Sequence, residues 1–114
     1  MIVTENPEIL SNKFHMDASD IQVWIAEDIN ACRLILHSTC IQQVVIDYNL
    51  LTNDYRYILE IYRHNIRLPV IAVIPEDEVN YIKKAFEAGA TITVSAQSSS
   101  DYFKWVIVEQ FQKC

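Results

Sequence analysis

Asp47 directly follows the apolar run Val44-Val45-Ile46. A carboxylate at that point stands at the rim of a dry core, where charge is costly unless something compensates it. Two chemistries suit it. It can serve as a reactive, charged oxygen at a strand end, or it can cap the next loop by accepting backbone N–H bonds. A second acid, Glu5, lies in Thr4-Glu5-Asn6 behind the first apolar run, and Asn49 lies two residues past Asp47. These polar side chains can gather at one edge only if the apolar runs are parallel strands of one sheet.

Other chemistry is thinner. His15, His37 and His64 are scattered, and they lack metal-ligand spacing with Cys32, Cys40 and Cys114. An odd cysteine count without a CxxC motif reads as reduced thiols in a cytosolic protein. No Ser/His/Asp or Cys/His arrangement falls together at the strand ends, so no enzyme is expected.

The elements that would position Asp47 alternate. Strands are expected at residues 1–4, 21–26 (IQVWIA), 41–46 (IQQVVI), 68–74 (LPVIAVI) and 91–95 (TITVS). Pro7, with Asn6 as N-cap, opens a first helix carrying Ile9, Leu10 and Phe14. Asp28 caps a second, with Cys32, Ile35 and Leu36 inward, and Asp54 opens a third with Ile58, Ile61 and Tyr62. Val79, Ile82, Ala85 and Phe86 line a fourth, ended by Gly89. Ser99 caps a fifth, with Phe103, Val106, Ile107 and Phe111 inward. Trp24 is expected in the core. Near-continuous apolar strands indicate a sheet covered on both faces. The fold class is therefore α/β: a five-stranded parallel sheet in a doubly wound, three-layer α/β/α sandwich. Residues 1–114 read as a single domain.

In that order the elements resemble the receiver domain of two-component response regulators along the whole chain. VVIDYNLL resembles the strand that presents the phosphoacceptor aspartate, here Asp47. LPVIAVI resembles the next strand, EDEVNYIKKAFEAGA the following helix, VTENPEIL the acidic loop, and SSSDYF the start of the last helix. The resemblance implies a phosphoacceptor at Asp47, a Mg²⁺ site drawing on Glu5, Asp47 and the Asn49 backbone, and a regulatory role.

The departures matter more for function. Phosphoryl transfer depends on positioning and charge compensation. The family's acidic pair aligns with Thr4-Glu5, so one carboxylate is missing and the Mg²⁺ set is reduced. Ile74 stands at the hydroxyl position and cannot donate to a phosphoryl oxygen. Ala96 stands at the lysine position, and Gln97 follows where the family has proline. The pattern is that of a degenerate, pseudo-receiver with weak or no phosphorylation at Asp47, no other cofactor, and action through protein–protein contact.

Tyr81, Tyr102, Phe103 and Trp105 cluster on the fourth and fifth helices. In the resembled family the α4-β5-α5 face is a common dimer and partner surface, which makes Tyr81, Tyr102 and Trp105 the expected partner residues. Aromatic side chains are enriched at interface cores. Glu76-Asp77-Glu78 complements the dipole of the fourth helix, and Lys83-Lys84 is a solvated face.

Composition removes further classes. Nine basic and fifteen acidic side chains give a net charge of −6, which lacks the footprint of a nucleic-acid binder and is repelled by anionic membranes. No apolar run approaches the ~20 residues of a membrane span, and the start lacks a signal peptide's basic region. A cytoplasmic location follows. Gly89 is the only glycine, and TENPEI offers one threonine, so a flavin-phosphate loop is absent. Two other readings stay open. One is a conventional phosphoacceptor with relaxed requirements. The other is the assembly ("wing") domain of a larger PLP-dependent amino-acid decarboxylase, excised from its parent chain.

Overall fold

The structure is a computed structural model, and it describes residues 1–4 and 24–109. Its elements are β1 (Ile2–Val3), β2 (Ile25–Ala26), α1 (Ile29–Ser38), β3 (Val44–Asp47), α2 (Tyr48–Asn53), α3 (Tyr55–His64), β4 (Val70–Ile74), α4 (Val79–Glu87), β5 (Ile92–Ser95) and α5 (Ser100–Glu109). All five strands are parallel, in the order β2-β1-β3-β4-β5. That is the expected α/β sandwich. Strand order reverses between β1 and β3, so their carboxyl ends flank the switch point.

Side-chain alternation along the strands builds two cores. Val3, Val44, Ile46, Val70, Ala72 and Ile74 face one way, against α1, α2, α3 and α4. Cys32, Leu36, Leu51, Ile61 and Ala85 close that layer. Ile2, Val45, Ile71, Val73 and Val94 face the other way, where Phe103, Val106 and Ile107 of α5 cover them. Burying β3 and β4 on both faces is what makes them apolar at nearly every position.

Local signals set the helix boundaries. The Asp28 carboxylate accepts the Ala31 N–H at 2.8 Å, Asp54 accepts the Arg56 N–H at 3.1 Å, and the Ser99 hydroxyl accepts the Tyr102 N–H at 3.2 Å. Gly89 follows α4 at φ +115°, a backbone that side chains disfavour. Pro69 has no N–H to give, and the β4 ladder begins at Val70.

Several expectations need correction. The strands are shorter than expected: β3 starts at Val44 and runs to Asp47, while Ile41 and Gln43 are buried outside it. Residues 48–53, to which the sequence pattern assigns no element, form α2, a helix with only Leu51 fully buried and hence no readable period. On α4 only Ala85 is fully buried; Val79 and Phe86 are exposed. Ala85 lets the helix lie close to the sheet, and that turns its flanks outward. Tyr62 and Trp24 are only partly covered. Cys40 is disulfide-bonded and Cys32 is a buried free thiol, so the expectation of reduced thiols fails at Cys40. The first expected helix, Glu5, and residues 21–23 of the second expected strand also lie outside the described residues.

Candidate functional site

The carboxyl ends of the strands carry Thr4 after β1, Asp47 at the end of β3, Ile74 at the end of β4, and Ser95-Ala96 at the end of β5. The register Val3↔Ile46 puts the next pair, Thr4 and Asp47, side by side. Thr4 is buried, and its hydroxyl donates to Asp47 Oδ2. Asp47 is half-buried. It occupies the N-cap position of α2, yet its side chain makes no capping bond there. The carboxylate therefore does not cap α2. A hydroxyl from the neighbouring strand supplies a compensating dipole.

Ile74 and Ala96 add apolar side chains at the ends of β4 and β5. Ile74 is fully buried in the core under α1 to α4. Its carbonyl accepts the Ala96 N–H at 2.8 Å, so the main chain continues the β4–β5 pairing past Ser95. The Ala96 methyl packs against the α5 core. Neither side chain can donate a hydrogen bond or carry charge toward Asp47. The Ser95 hydroxyl is buried and accepts the Gln97 N–H at 3.1 Å.

Of the metal set Glu5, Asp47 and Asn49, Glu5 lies outside the described residues, and Asn49 sits exposed in the first turn of α2. Among the described residues no group of three or more His, Cys, Asp or Glu could hold a metal ion. Glu27 is exposed, and the Asp28 carboxylate is engaged at the α1 N-terminus.

The aromatic residues separate into two places. Tyr102 and Trp105 stack on α5 with ring centroids 6.0 Å apart and 29° between planes, and both are exposed. Phe103 beside them is buried. Tyr81 is half-buried and meets Tyr48 of α2 edge-on at 5.1 Å. It braces α4 against α2 and does not join the Tyr102–Trp105 stack. Beside that stack is an open pocket of about 290 Å³ along the β5 edge, lined by Asp77, Thr93, Ser95, Ser98, Ser99 and Tyr102 among others.

Sequence reading missed Thr4 as Asp47's partner. The family resemblance marked it only as the residue in place of an acid, and the β1–β3 register that brings it alongside has no local signal.

Neither a family model nor a curated protein matches the chain. Solved structures do. The signal receiver domain of an HD domain-containing protein from Pseudomonas fluorescens Pf-5 superposes with a TM-score of 0.76 at 14% identity, covering 96% of this chain and 90% of that one. The signal receiver domain of the response regulator NarL from Mycobacterium tuberculosis gives 0.73 at 13% identity, covering 95% and 90%. A response regulator from Burkholderia pseudomallei, solved with a phosphorylated aspartic acid, a calcium ion and citrate, gives 0.71 at 11% identity, covering 98% and 65%. At these identities the likeness establishes a receiver-like fold. Function has to be argued from the site.

Proposed function

We propose that this receiver-fold chain, as one domain spanning residues 1–114, is a regulatory module of two-component type. It acts mainly through protein–protein contact, with phosphorylation of Asp47 weak or absent and no catalytic activity of its own. One observation carries the reading. The Asp47 carboxylate takes a hydroxyl from Thr4, while the adjacent β4 and β5 ends present Ile74 and Ala96.

Attack of an Asp47 oxygen on a phosphodonor would form an acyl phosphate and expel the donor's leaving group. The product adds a dianion to a half-buried edge. Such charge needs an ammonium, a metal or several donors. Ile74 and Ala96 supply none of these, and the Mg²⁺ set is reduced to Glu5, Asp47 and the Asn49 backbone. Without a hydroxyl at position 74 there is also nothing on β4 to move toward a new phosphoryl group. The switch then loses its reporter as well as its charge balance.

Partner contact falls to the α4-β5-α5 face, where Tyr102 and Trp105 present a rigid aromatic pair. Tyr81 contributes by holding α4 in place. Neither nucleic acid nor membrane is a partner of this acidic domain, and no helix among the described residues is long and apolar enough to cross a bilayer. A cytoplasmic location suits such a module. It implies that the Cys40 disulfide either resists the glutathione pool or opens there.

Intact-mass analysis after incubation with Mg²⁺ and acetyl phosphate tests the reading, with Asp47→Asn as control. The expected spectrum shows no adduct, or a minor one lost in the control. A near-stoichiometric phosphoryl adduct that vanishes in Asp47→Asn would overturn it in favour of a working phosphoacceptor.

A further inference from the structure

The chain is acidic overall, yet its arginines are unevenly placed. All four arginines, Arg33, Arg56, Arg63 and Arg67, lie on α1, α3 and the turn after α3. Within residues 29–38 and 55–64 the only carboxylate is Glu60. It is shared: Arg33 Nε stands 2.9 Å and Arg63 Nη1 3.7 Å from the same oxygen, Oε1. Arg56 pairs with the Asp54 cap at 2.7 Å. Three of the four guanidinium groups thus share two carboxylates.

Beside the cations runs an apolar stripe. Tyr55, Leu59 and Tyr62 follow one another on α3 at intervals of four and three residues, which is the seam spacing of packed helices, and Ile66 lies in the turn beyond the helix. Their exposures are 71%, 42%, 36% and 77%. The buried side of α3 is formed by Tyr57, Ile58 and Ile61, so the stripe is not the helix's core face. The Tyr62 hydroxyl donates to the Gly89 carbonyl at 2.6 Å and fixes one wall of the stripe to the end of α4. Tyr and Arg are the side chains most enriched at binding hot spots.

We infer that this face docks an acidic amphipathic helix of a partner protein. The stripe spacing matches helix-in-groove recognition, in which apolar anchors recur at helical intervals. The arginine row selects acidic flanks on the partner, because guanidinium groups pair with carboxylates through two parallel bonds. Arg63 and Arg67 are the best placed for this. Arg63 makes only a long contact to a carboxylate that Arg33 holds more closely, and Arg67 is exposed beyond the helix end. The inference uses a different face from Tyr102 and Trp105. It makes no use of Asp47, so it stands or falls independently of phosphorylation.

Panning a phage-displayed library of helical peptides against the whole protein tests this, with Arg63→Glu/Arg67→Glu as the counter-target. The expected winners are net negative with apolar residues at helical spacing. A synthetic winner should bind at least ten-fold more weakly to Arg63→Glu/Arg67→Glu and to Leu59→Ser. Both variants sit on the surface, and circular dichroism checks that they are folded. Amide shifts should fall on α1, α3 and the following turn, and affinity should drop with salt. Three outcomes overturn the inference. The first is winners with no acidic bias, or that bind elsewhere, or no enrichment over the counter-target. The second is binding of a 20-nucleotide single strand that the charge-reversed variant loses, which would assign the face to nucleic acid. The third is self-association in sedimentation that Leu59→Ser abolishes, which would assign it to a second copy.

Discussion

The hydroxyl of Thr4, one residue past β1, donates to the carboxylate of Asp47 at the end of β3. The bond joins two adjacent strands at the switch point of the sheet, and the Thr4 end of it is buried. A bond to a charged acceptor is worth about 1.5–3 kcal/mol, and removing the donor leaves the carboxylate to bear more of its desolvation cost. Thr4→Val keeps the shape and deletes the donor. It is expected to destabilise the fold by about 1–3 kcal/mol, measured by urea denaturation at pH 7. The deficit should shrink when Asp47→Asn is added, because the charge that needs the hydroxyl is gone. Equal losses in both backgrounds would show that the hydroxyl does not serve the carboxylate.

Gly89 is the point where α4 turns back toward β5. A Cβ there would stand 2.7 Å from Ile58 Cγ1 and 3.0 Å from the Tyr62 hydroxyl, on a backbone at φ +115°. Strain and overlap act together in Gly89→Ala, and about 1–3 kcal/mol of stability should be lost. The melting temperature should fall by roughly 4–8 °C for each kcal/mol lost, by the scaling for small domains. The test is a melt with the conservative Tyr62→Phe alongside, which removes the 2.6 Å bond to the Gly89 carbonyl without touching the backbone. A neutral Gly89→Ala would mean that the turn can relax.

Cys32 is a buried thiol on α1, and burial, reinforced by Glu60, pushes it up to about 11 from 9.0. The folded value lies above the unfolded one. The neutral thiol's contribution is therefore fully present below pH 9 and is lost as pH rises through 11. Two pH units correspond to about 3 kcal/mol at most. Denaturant midpoints should fall more steeply between pH 9 and 11 in the native sequence than in Cys32→Ala. Parallel slopes would remove the thiol from the account. The same burial predicts that Cys32 escapes iodoacetamide at pH 8 until the fold is opened, read by intact mass without reductant.

How far the fold could be read depended on where the code is local. Asp28, Asp54 and Ser99 marked three helix starts because capping needs only one side chain and the next turn. The apolar runs of β3 and β4 gave a covered parallel sheet because burial on both faces leaves no other pattern. Local code fails where contacts decide. α2 has one fully buried residue in six and so shows no period. Val79 and Phe86 have the spacing of a core face, but Ala85 sets how close α4 lies, and the larger residues end up outside. Asp47 could be found from its position behind an apolar run. Its partner Thr4 could not, because strand register is a property of two distant segments. Tyr81 shared a cluster with Tyr102 and Trp105 in sequence, but the fold sends it toward Tyr48.

Gln43 links the sheet to α5. Its Nε2 donates to the Ile107 carbonyl at 2.7 Å from a buried position. Gln43→Ala leaves that carbonyl short of its donor near the end of the helix, a loss of about 1–3 kcal/mol. Hydrogen exchange should rise selectively along α5, with β4 unchanged. Uniform loss of protection would instead mean that Gln43 serves the whole core.

On the proposed reading, Ile74 and Ala96 are two of the side chains that keep this edge from holding a phosphoryl group. Charge compensation can be restored at this edge by substitution. In Ala96→Lys an ammonium is added beside Asp47, and Ile74→Thr adds a donor on β4. Ile74 is fully buried, so the threonine costs stability through lost apolar volume and a hydroxyl that needs a partner. Ala96 is only half-buried at the β5 end, so the lysine can reach solvent. The double variant should give a phosphoryl adduct with acetyl phosphate and Mg²⁺ at several times the level of the native chain, and Asp47→Asn should abolish it. Ala96→Lys alone should provide most of the gain, since neutralising a dianion matters more than one neutral hydrogen bond. If the folded double variant takes no more phosphate than the native chain, then Thr4 in place of an acid is the deciding loss, and the Mg²⁺ set rather than Ile74 and Ala96 silences the site.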